Sequence, residues 1–401
     1  MDKRNFKWDF ISATGIVILS LLSVYSIIWA FTPDGLFLPS TYNSYVLQAL
    51  RWLEGHLDLG VNYSYLEIAE FNGRYFVSFP PIPSVVLLPF AAIFGINTPD
   101  TLIGVTVGII GAIYALRLCF DFNIPQRTGI IYTLLLTIGS NFLHIGYKAD
   151  VWYLAQTLAF SFTMISLYYA FSKNQRFALS TLFLGLAVGC RPFNLLYGAL
   201  IIVPIYRKLK DDFSVKKVAL WFLPIALIGL FLMWLNYARF GNIMEFGHNY
   251  LPEFAKESPN GQFWIGYVPY NIYRMFRLPE FTNGMLNFPI FDGVAFWLVS
   301  PIVLVYIYYF IKKVILQKDY SVELWLSLIL PIIHILVLCC HKTLGGWQFG
   351  NRYTVDILPV VFFGILMTGN KKTPYLAYPL LLWGIGINLV GTIALVNGWI
   401  G

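Results

Sequence analysis

The sequence predicts an all-α polytopic membrane protein, and three observations carry that prediction. Hydrophobic residues make up 58% of the 401-residue chain and charged residues only 12%, with a mean hydropathy of +0.67, a balance that soluble domains do not have. The apolar residues gather into runs close to the roughly 20 residues that a helix needs to cross a bilayer. The Lys and Arg fall mostly on one set of connections between those runs, as they do where cytoplasmic loops are basic. Helices suit such runs because they satisfy their own backbone polar groups without water.

Eleven full spans follow, at 11–31, 101–119, 128–146, 152–171, 177–190, 193–206, 218–237, 291–312, 322–340, 353–369 and 374–397, in a single transmembrane domain over 1–401. The first run lacks a small-residue cleavage site and reads as a retained span, not a signal peptide. The short spans 177–190 and 193–206 are separated by Cys190-Arg191-Pro192, a tight polar turn. The run 82–95, opened by Pro80-Pro81, is too short to cross. Lys3, Arg4 and Lys7 belong on the cytoplasmic side, as do the basic segments 207–217 and 312–318 and the pair Lys371-Lys372. A full crossing by 82–95 would put all three later segments outside. A re-entrant or juxtamembrane course puts them inside, with the N-terminus in and the C-terminus out. The formal charge of +7 is then mainly an orientation signal, and no nucleic acid is implied. The four cysteines, Cys119, Cys190, Cys339 and Cys340, lie in or beside apolar runs and read as small hydrophobes.

Two long segments are then external. The first, 32–100, is expected to hold an interfacial helix and a re-entrant hairpin; the second is 238–290. Tyr42, Tyr45, Val46, Ala49, Leu50 and Leu53 recur at helical spacing, with Asn43, Gln48 and Arg51 off the stripe. Such a helix would lie in the headgroup layer on its aromatic face.

No phosphate-binding Gly-rich loop, zinc-spaced Cys/His cluster or GxSxG is present. The remaining chemistry sits in charged residues near the external ends of spans, where a charge is costly and tends to be functional. Asp150 starts a span within Tyr147-Lys148-Ala149-Asp150; it reads as an acid or base, or as a helix-start carboxylate paired with Lys148. Arg352 lies in the Gly- and aromatic-rich turn from Gly345 to Tyr353. That placement suits bidentate binding of a lipid phosphate, or a pair with Asp356 four residues on. Arg191, Arg74, His341 and Lys342 are further phosphate candidates. Glu67 and Glu70, three apart, would share one helical face and serve as acids, as would Asp34, or else be solvated surface charges.

A first loop whose helix ends in Leu53-Glu54-Gly55, followed by Asn72-Gly73-Arg74-Tyr75 and Phe79-Pro80-Pro81, resembles the GT-C membrane glycosyltransferases. Among them it is most similar to the protein O-mannosyltransferase and aminoarabinose-transferase branch. Asp150 resembles that branch's second acidic position, and Phe349-Gly350-Asn351-Arg352-Tyr353 resembles an FGxRY element of bacterial members. One departure stands out. Twelve residues before Gly55, where the family usually has its catalytic acid, this chain has Asn43, and an amide cannot take the proton.

The resemblance implies a GT-C-like fold and an enzyme of a bacterial plasma membrane, with its active site on the extracytoplasmic face. The implied reaction transfers a sugar from a polyprenyl-phosphate donor to a lipid, glycan or protein acceptor. Asp150, Glu67, Asp34 or Glu70 would supply the base. Arg352, Arg191, Lys342, His341, Lys148, Arg74, Asn43 and Tyr353 would contact substrate. No nucleotide or other cofactor is required; some relatives use a divalent cation, but no ligand cluster stands out. Two other readings remain open. A flippase or transporter of lipid-linked sugars would need inverted repeats and broken helices, and the sequence shows neither. A non-catalytic polyprenyl-phosphate binder would be compatible with Asn43.

Overall fold

The computed structural model describes residues 3–282 and 285–400. Residues 283 and 284, within the expected loop 238–290, lie outside the described residues, as do 1, 2 and 401.

Helix α1 (Lys3–Phe31) buries Ala13, Val17, Leu21, Tyr25 and Ile28 at helical spacing against the rest of the bundle. Helix α2 (Ser44–Leu53), the hairpin β1 (Ile68–Phe71)–β2 (Arg74–Val77) and helix α3 (Ile82–Phe94) occupy the first long loop. The bundle continues through α4 (Asp100–Asp121), α5 (Gln126–Leu136), α6 (Phe142–Gly146), α7 (Val151–Phe171), α8 (Phe177–Val188), α9 (Gly198–Asp211) and α10 (Val215–Phe240). The second loop holds α11 (Pro252–Ala255), α12 (Val268–Phe276) and the antiparallel pair β3 (Glu280–Thr282) and β4 (Met285–Asn287). The chain then closes through α13 (Phe296–Val299), α14 (Ile302–Ile311), α15 (Val322–Cys339), α16 (Leu358–Met367) and α17 (Ala377–Val396). Helix α7 is buried almost all round and packs on α4, α6, α8, α9 and α16, so it forms the axis of the core.

Among the described residues six helices, α1, α4, α7, α10, α15 and α17, are long and apolar enough to cross a membrane; the chain is a multi-pass membrane protein of mainly α structure. Of the other expected spans, 177–190 is one short helix (Phe177–Val188), and 128–146, 193–206, 291–312 and 353–369 are assembled from shorter pieces, which corrects the expectation of unbroken helices there. The span 128–146 breaks at 137–141. There Thr137 Oγ1 donates to Thr133 O at 2.7 Å beside the Thr137 N–H, and Ser140 Oγ takes Leu136 O at 2.6 Å, the carbonyl a continuing helix would offer to the Ser140 N–H. The break also lets Gly139 sit directly on Gly384 of α17, where any side chain would collide with the Gly139 carbonyl. Spans 193–206 and 353–369 each open as a 3-10 helix, Pro192–Tyr197 and Arg352–Ile357, that runs straight into α9 and α16.

The first loop differs from expectation in three ways. Residues 68–77 form a β-hairpin, so Glu67 and Glu70 do not share a helical face. Asn72 (φ 51°) and Gly73 (φ 70°) make its two-residue turn, the backbone sign that Asn-Gly favours. The run 82–95 is one helix, about 20 Å long by its rise, followed by a single 3-10 turn at Gly95–Asn97; no second limb returns. Finally, much of the apolar stripe of α2 is covered by protein: Tyr45, Val46 and Ala49 are buried, and Ser84 of α3 donates to Gln48 Oε1 at 2.8 Å.

Candidate active site

The site is built on the segment between α15 and α16. Gly345 (φ 108°) turns the chain so that its carbonyl accepts both Arg352 Nε (3.2 Å) and Nη2 (2.9 Å). A Cβ at Gly345 would lie 2.8 Å from Arg352 Nε, so both the backbone sign and the space require glycine. Gln348 and Gln156 hold the rest of the arginine: Gln348 Oε1 accepts the Arg352 N–H at 2.6 Å, and Gln156 Oε1 accepts Nη1 at 3.3 Å.

This loop is fixed from two sides. Asp292, paired with Arg274 of α12, accepts the Leu344 N–H at 2.9 Å and the Gly346 N–H at 3.3 Å. From the bundle, Asn141 at the α5–α6 break donates to Phe349 O at 3.1 Å and accepts the Asn351 N–H at 2.9 Å. Asn141 in turn donates to Asn388 Oδ1 at 3.1 Å, and Phe349 rests on Gly391 where a side chain would collide with its ring. Gly384, Asn388 and Gly391 lie on one face of α17, so the broken span and that face together aim Arg352.

Arg352 and Arg191, each at the start of a 3-10 turn, open onto one cavity of about 400 Å³. Tyr353 stands between them, with the Arg191 and Arg352 guanidinium carbons 4.9 and 5.0 Å from its ring centre. The two arginines differ in their partners. Arg191 places Nε and Nη2 each 2.9 Å from Asp356 Oδ2. Burial opposes the charge on Arg191, but Asp356 and the Tyr353 hydroxyl outweigh it and hold the pKa above the usual range. Arg352 has no carboxylate partner among the described residues; its hydrogen bonds go to neutral oxygens. The alternative pair between Arg352 and Asp356 is thus not formed, because Arg191 takes Asp356.

His341 and His248 also line the cavity, with Tyr45, Trp152, Glu245 and Gln262. Burial pushes His248 down to about 4, reinforced by Arg191 and Arg352 and opposed by the Ser78 carbonyl and Glu245. His341 is pushed down to about 3 by burial, by His248 and by the same arginines, against the Thr343 carbonyl. Both rings are therefore neutral. Glu67 does not line the cavity but accepts the N–H of Trp152, which does, at 3.2 Å. Nearby protein displaces part of the water around the exposed Glu67 side chain and raises its carboxyl, while Trp152 and Arg352 pull the other way.

The remaining sequence candidates lie elsewhere. Asp150 and Asp34 form their own cluster around Lys148, whose Nζ is 2.8 Å from Asp150 Oδ2 and 3.7 Å from Asp34 Oδ2. Burial disfavours the Lys148 charge, but Asp150 and Asp34 outweigh it and raise the pKa. Tyr147 donates to Asp34 at 3.1 Å. Lys342 turns to the Glu253 carbonyl at 3.3 Å, and Arg74 pairs with Asp58 through Nε at 2.8 Å. Glu70 is exposed on β1. None of these lines the cavity. Asn43 precedes α2, and its Oδ1 is buried without a partner. Sequence reasoning missed Glu245, His248, Gln262 and Tyr45. The second loop offers no periodicity to mark the first three, and Tyr45 read as one member of an apolar stripe.

Among the described residues no group of three or more His, Cys, Asp or Glu converges, and the buried acids Asp150, Asp356 and Asp292 are already paired with Lys148, Arg191 and Arg274.

No protein-family model matches the chain, and no curated protein matches it by sequence. Its shape is similar to ArnT from Cupriavidus metallidurans bound to undecaprenyl phosphate, at 11% identity and a TM-score of 0.52, over 93% of this chain and 62% of that one. The apo state of that protein matches at 13% identity and 0.51, over 93% and 63%. The Archaeoglobus fulgidus oligosaccharyltransferase in the apo form matches at 12% identity and 0.52, over 96% and 56%. The chain thus spans about three-fifths of the length of the solved structures it matches. The likeness shows a GT-C-like fold.

Proposed function

We propose that this GT-C-like chain is a glycosyltransferase that takes its sugar from a polyprenyl-phosphate donor at the extracytoplasmic face of a bacterial plasma membrane. The observation that carries the reading is Arg352, a guanidinium held at a cavity wall by neutral oxygens alone, beside a second guanidinium on the same tyrosine ring. Such an arrangement is costly unless an anion completes it. A lipid phosphate is the anion a membrane-embedded site would meet, and a solved structure of similar fold is bound to undecaprenyl phosphate.

In the reaction, an acceptor hydroxyl attacks the anomeric carbon as the sugar–phosphate bond breaks. Charge develops on the leaving phosphate, where Arg352 and Arg191 stabilise it. The donor's phosphate ester supplies the driving force, so no nucleotide takes part.

A transporter of lipid-linked sugars would use its broken helices to line the substrate site. The break at 137–141 is filled by Asn141, Asn388 and the Phe349 carbonyl and stays out of the cavity. The 3-10 turns that open the spans 193–206 and 353–369 do line it, so transport is the second reading that the assay must separate. The test is to incubate purified protein with a panel of polyprenyl-phosphate sugars. Release of free polyprenyl phosphate supports transfer. Sugar crossing liposomes unchanged, with no release, would replace transfer by transport. Binding of polyprenyl phosphate without turnover would leave a non-catalytic binder.

A further inference from the structure

Building on the glycosyl-transfer reading, we propose that His248 is the base of this site, its Nε2 taking the proton from the acceptor hydroxyl. The need for such a group follows from Asn43, an amide where the resembled family has an acid. The nearby carboxylates are already committed. Asp150 is held by Lys148, Asp356 by Arg191 and Asp292 by Arg274. Glu245 lines the cavity, but its two oxygens accept the Gly247 N–H at 2.6 Å and the Asn249 amide at 2.7 Å, bonds that close its own loop. Glu67 is outside the cavity lining and accepts the Trp152 N–H.

The five histidines sort in the same way. His144 is engaged at both nitrogens, Nδ1 with Thr392 at 3.0 Å and Nε2 with Tyr153 at 3.2 Å. His341 is engaged at Nδ1 by the Thr343 carbonyl at 2.8 Å and at Nε2 by Gln262 at 3.1 Å. His334 and His56 do not line the cavity. His248 does, and its Nδ1 donates to the Ser78 carbonyl at 3.2 Å. That bond fixes the proton on Nδ1 and leaves Nε2 as a bare lone pair. Among the described residues Nε2 has no hydrogen-bond partner, and it is not among the atoms sealed from solvent.

The groups facing the ring keep it in the base form. Arg191 and Arg352 oppose a charge on it, while Glu245 and the Ser78 carbonyl favour one; the neutral His341 ring lies 6.0 Å away, and burial settles the balance for neutral imidazole. Phe79 and Phe254 pack on the ring at centroid distances of 5.4 and 5.1 Å and hold its orientation. In the step, the acceptor O–H proton passes to Nε2 and the oxygen forms its bond to the anomeric carbon. The anomeric carbon–oxygen bond breaks, and its electron pair leaves on the phosphate. The imidazolium then releases its proton to water.

The test follows release of undecaprenyl phosphate from undecaprenyl-phosphate sugars by detergent-purified wild type, His248→Ala, His248→Gln and Glu67→Gln. Loss of a general base lowers turnover about 100-fold or more. His248→Ala should show that loss, bind undecaprenyl phosphate as wild type does, and regain turnover when imidazole is added. The regained rate should rise with the basicity of substituted imidazoles, whereas His248→Gln, whose side chain fills the space, should not respond. Undiminished turnover in His248→Ala overturns the assignment, as does parallel loss of turnover and lipid binding without rescue. Loss confined to Glu67→Gln would move the base to Glu67. If wild type releases no undecaprenyl phosphate from any donor, the glycosyl-transfer reading itself falls. Wild-type turnover with an unaffected His248→Ala defeats only the base.

Discussion

Removing the Arg352 guanidinium is the perturbation that separates a phosphate site from a structural arginine. A guanidinium has five N–H donors. Gly345 O takes one from Nε and one from Nη2, and Gln156 Oε1 takes one from Nη1. Two N–H remain, one on each terminal nitrogen, for a phosphate to accept. A hydrogen bond to a charged group contributes about 1.5–3 kcal/mol. The lower end for two such bonds is about 3 kcal/mol, or roughly a 150-fold change in affinity at 1.4 kcal/mol per tenfold. Arg352→Ala should therefore weaken equilibrium binding of undecaprenyl phosphate by about 100-fold, with binding of the uncharged polyprenol unchanged. Arg352→Lys keeps the charge but not the fork and should lose roughly tenfold. The fold should survive, because the acceptors released are neutral and cost about 1–2 kcal/mol. The reasoning is refuted if Arg352→Ala binds within about threefold of wild type. Equal loss of polyprenol binding would refute it too, since the damage would then be general.

Arg191→Ala should behave differently: it strands Asp356, whose side chain is 1% exposed, and should cost about 3–5 kcal/mol of stability, seen as a large fall in melting temperature in detergent. Asp150→Asn should lose a smaller amount, about 1–3 kcal/mol, since Lys148 keeps Asp34 at 3.7 Å and an amide oxygen still accepts. Its turnover should persist; abolished turnover at full lipid binding would return Asp150 to the mechanism. Glu67→Gln tests a raised carboxyl. Because the ionised form is the costly one, stability present below the unfolded pKa is lost as pH rises through the higher folded one. The amide removes that loss, so the variant should equal or exceed wild type in stability at about pH 7 and converge with it near pH 4. A variant less stable at neutral pH would contradict this.

The chain alone determined that this is a helical membrane protein, because 58% apolar composition in span-length runs leaves few other structures. It also marked Arg352, Arg191, Tyr353 and His341 as candidates from their charge or aromatic character beside Gly- or Pro-bearing turns, and the fold brings these four to one cavity. The β-hairpin was missed, although Asn72-Gly73 is the turn signal that could have marked it. What only the tertiary structure decided is which charges are free. Hydropathy and spacing are properties of one segment, whereas a partner is chosen by distance across segments. Asp356 stands four residues from Arg352 yet is taken by Arg191, 165 positions away. Asp150 is taken by Lys148 outside the cavity. The break at 137–141, which brings Asn141 to the Arg352 loop, left no mark in hydropathy because Thr, Gly and Ser interrupt an apolar run too briefly. His248 sits in an aperiodic loop, and its open nitrogen exists only because Ser78, 170 positions earlier, takes the other.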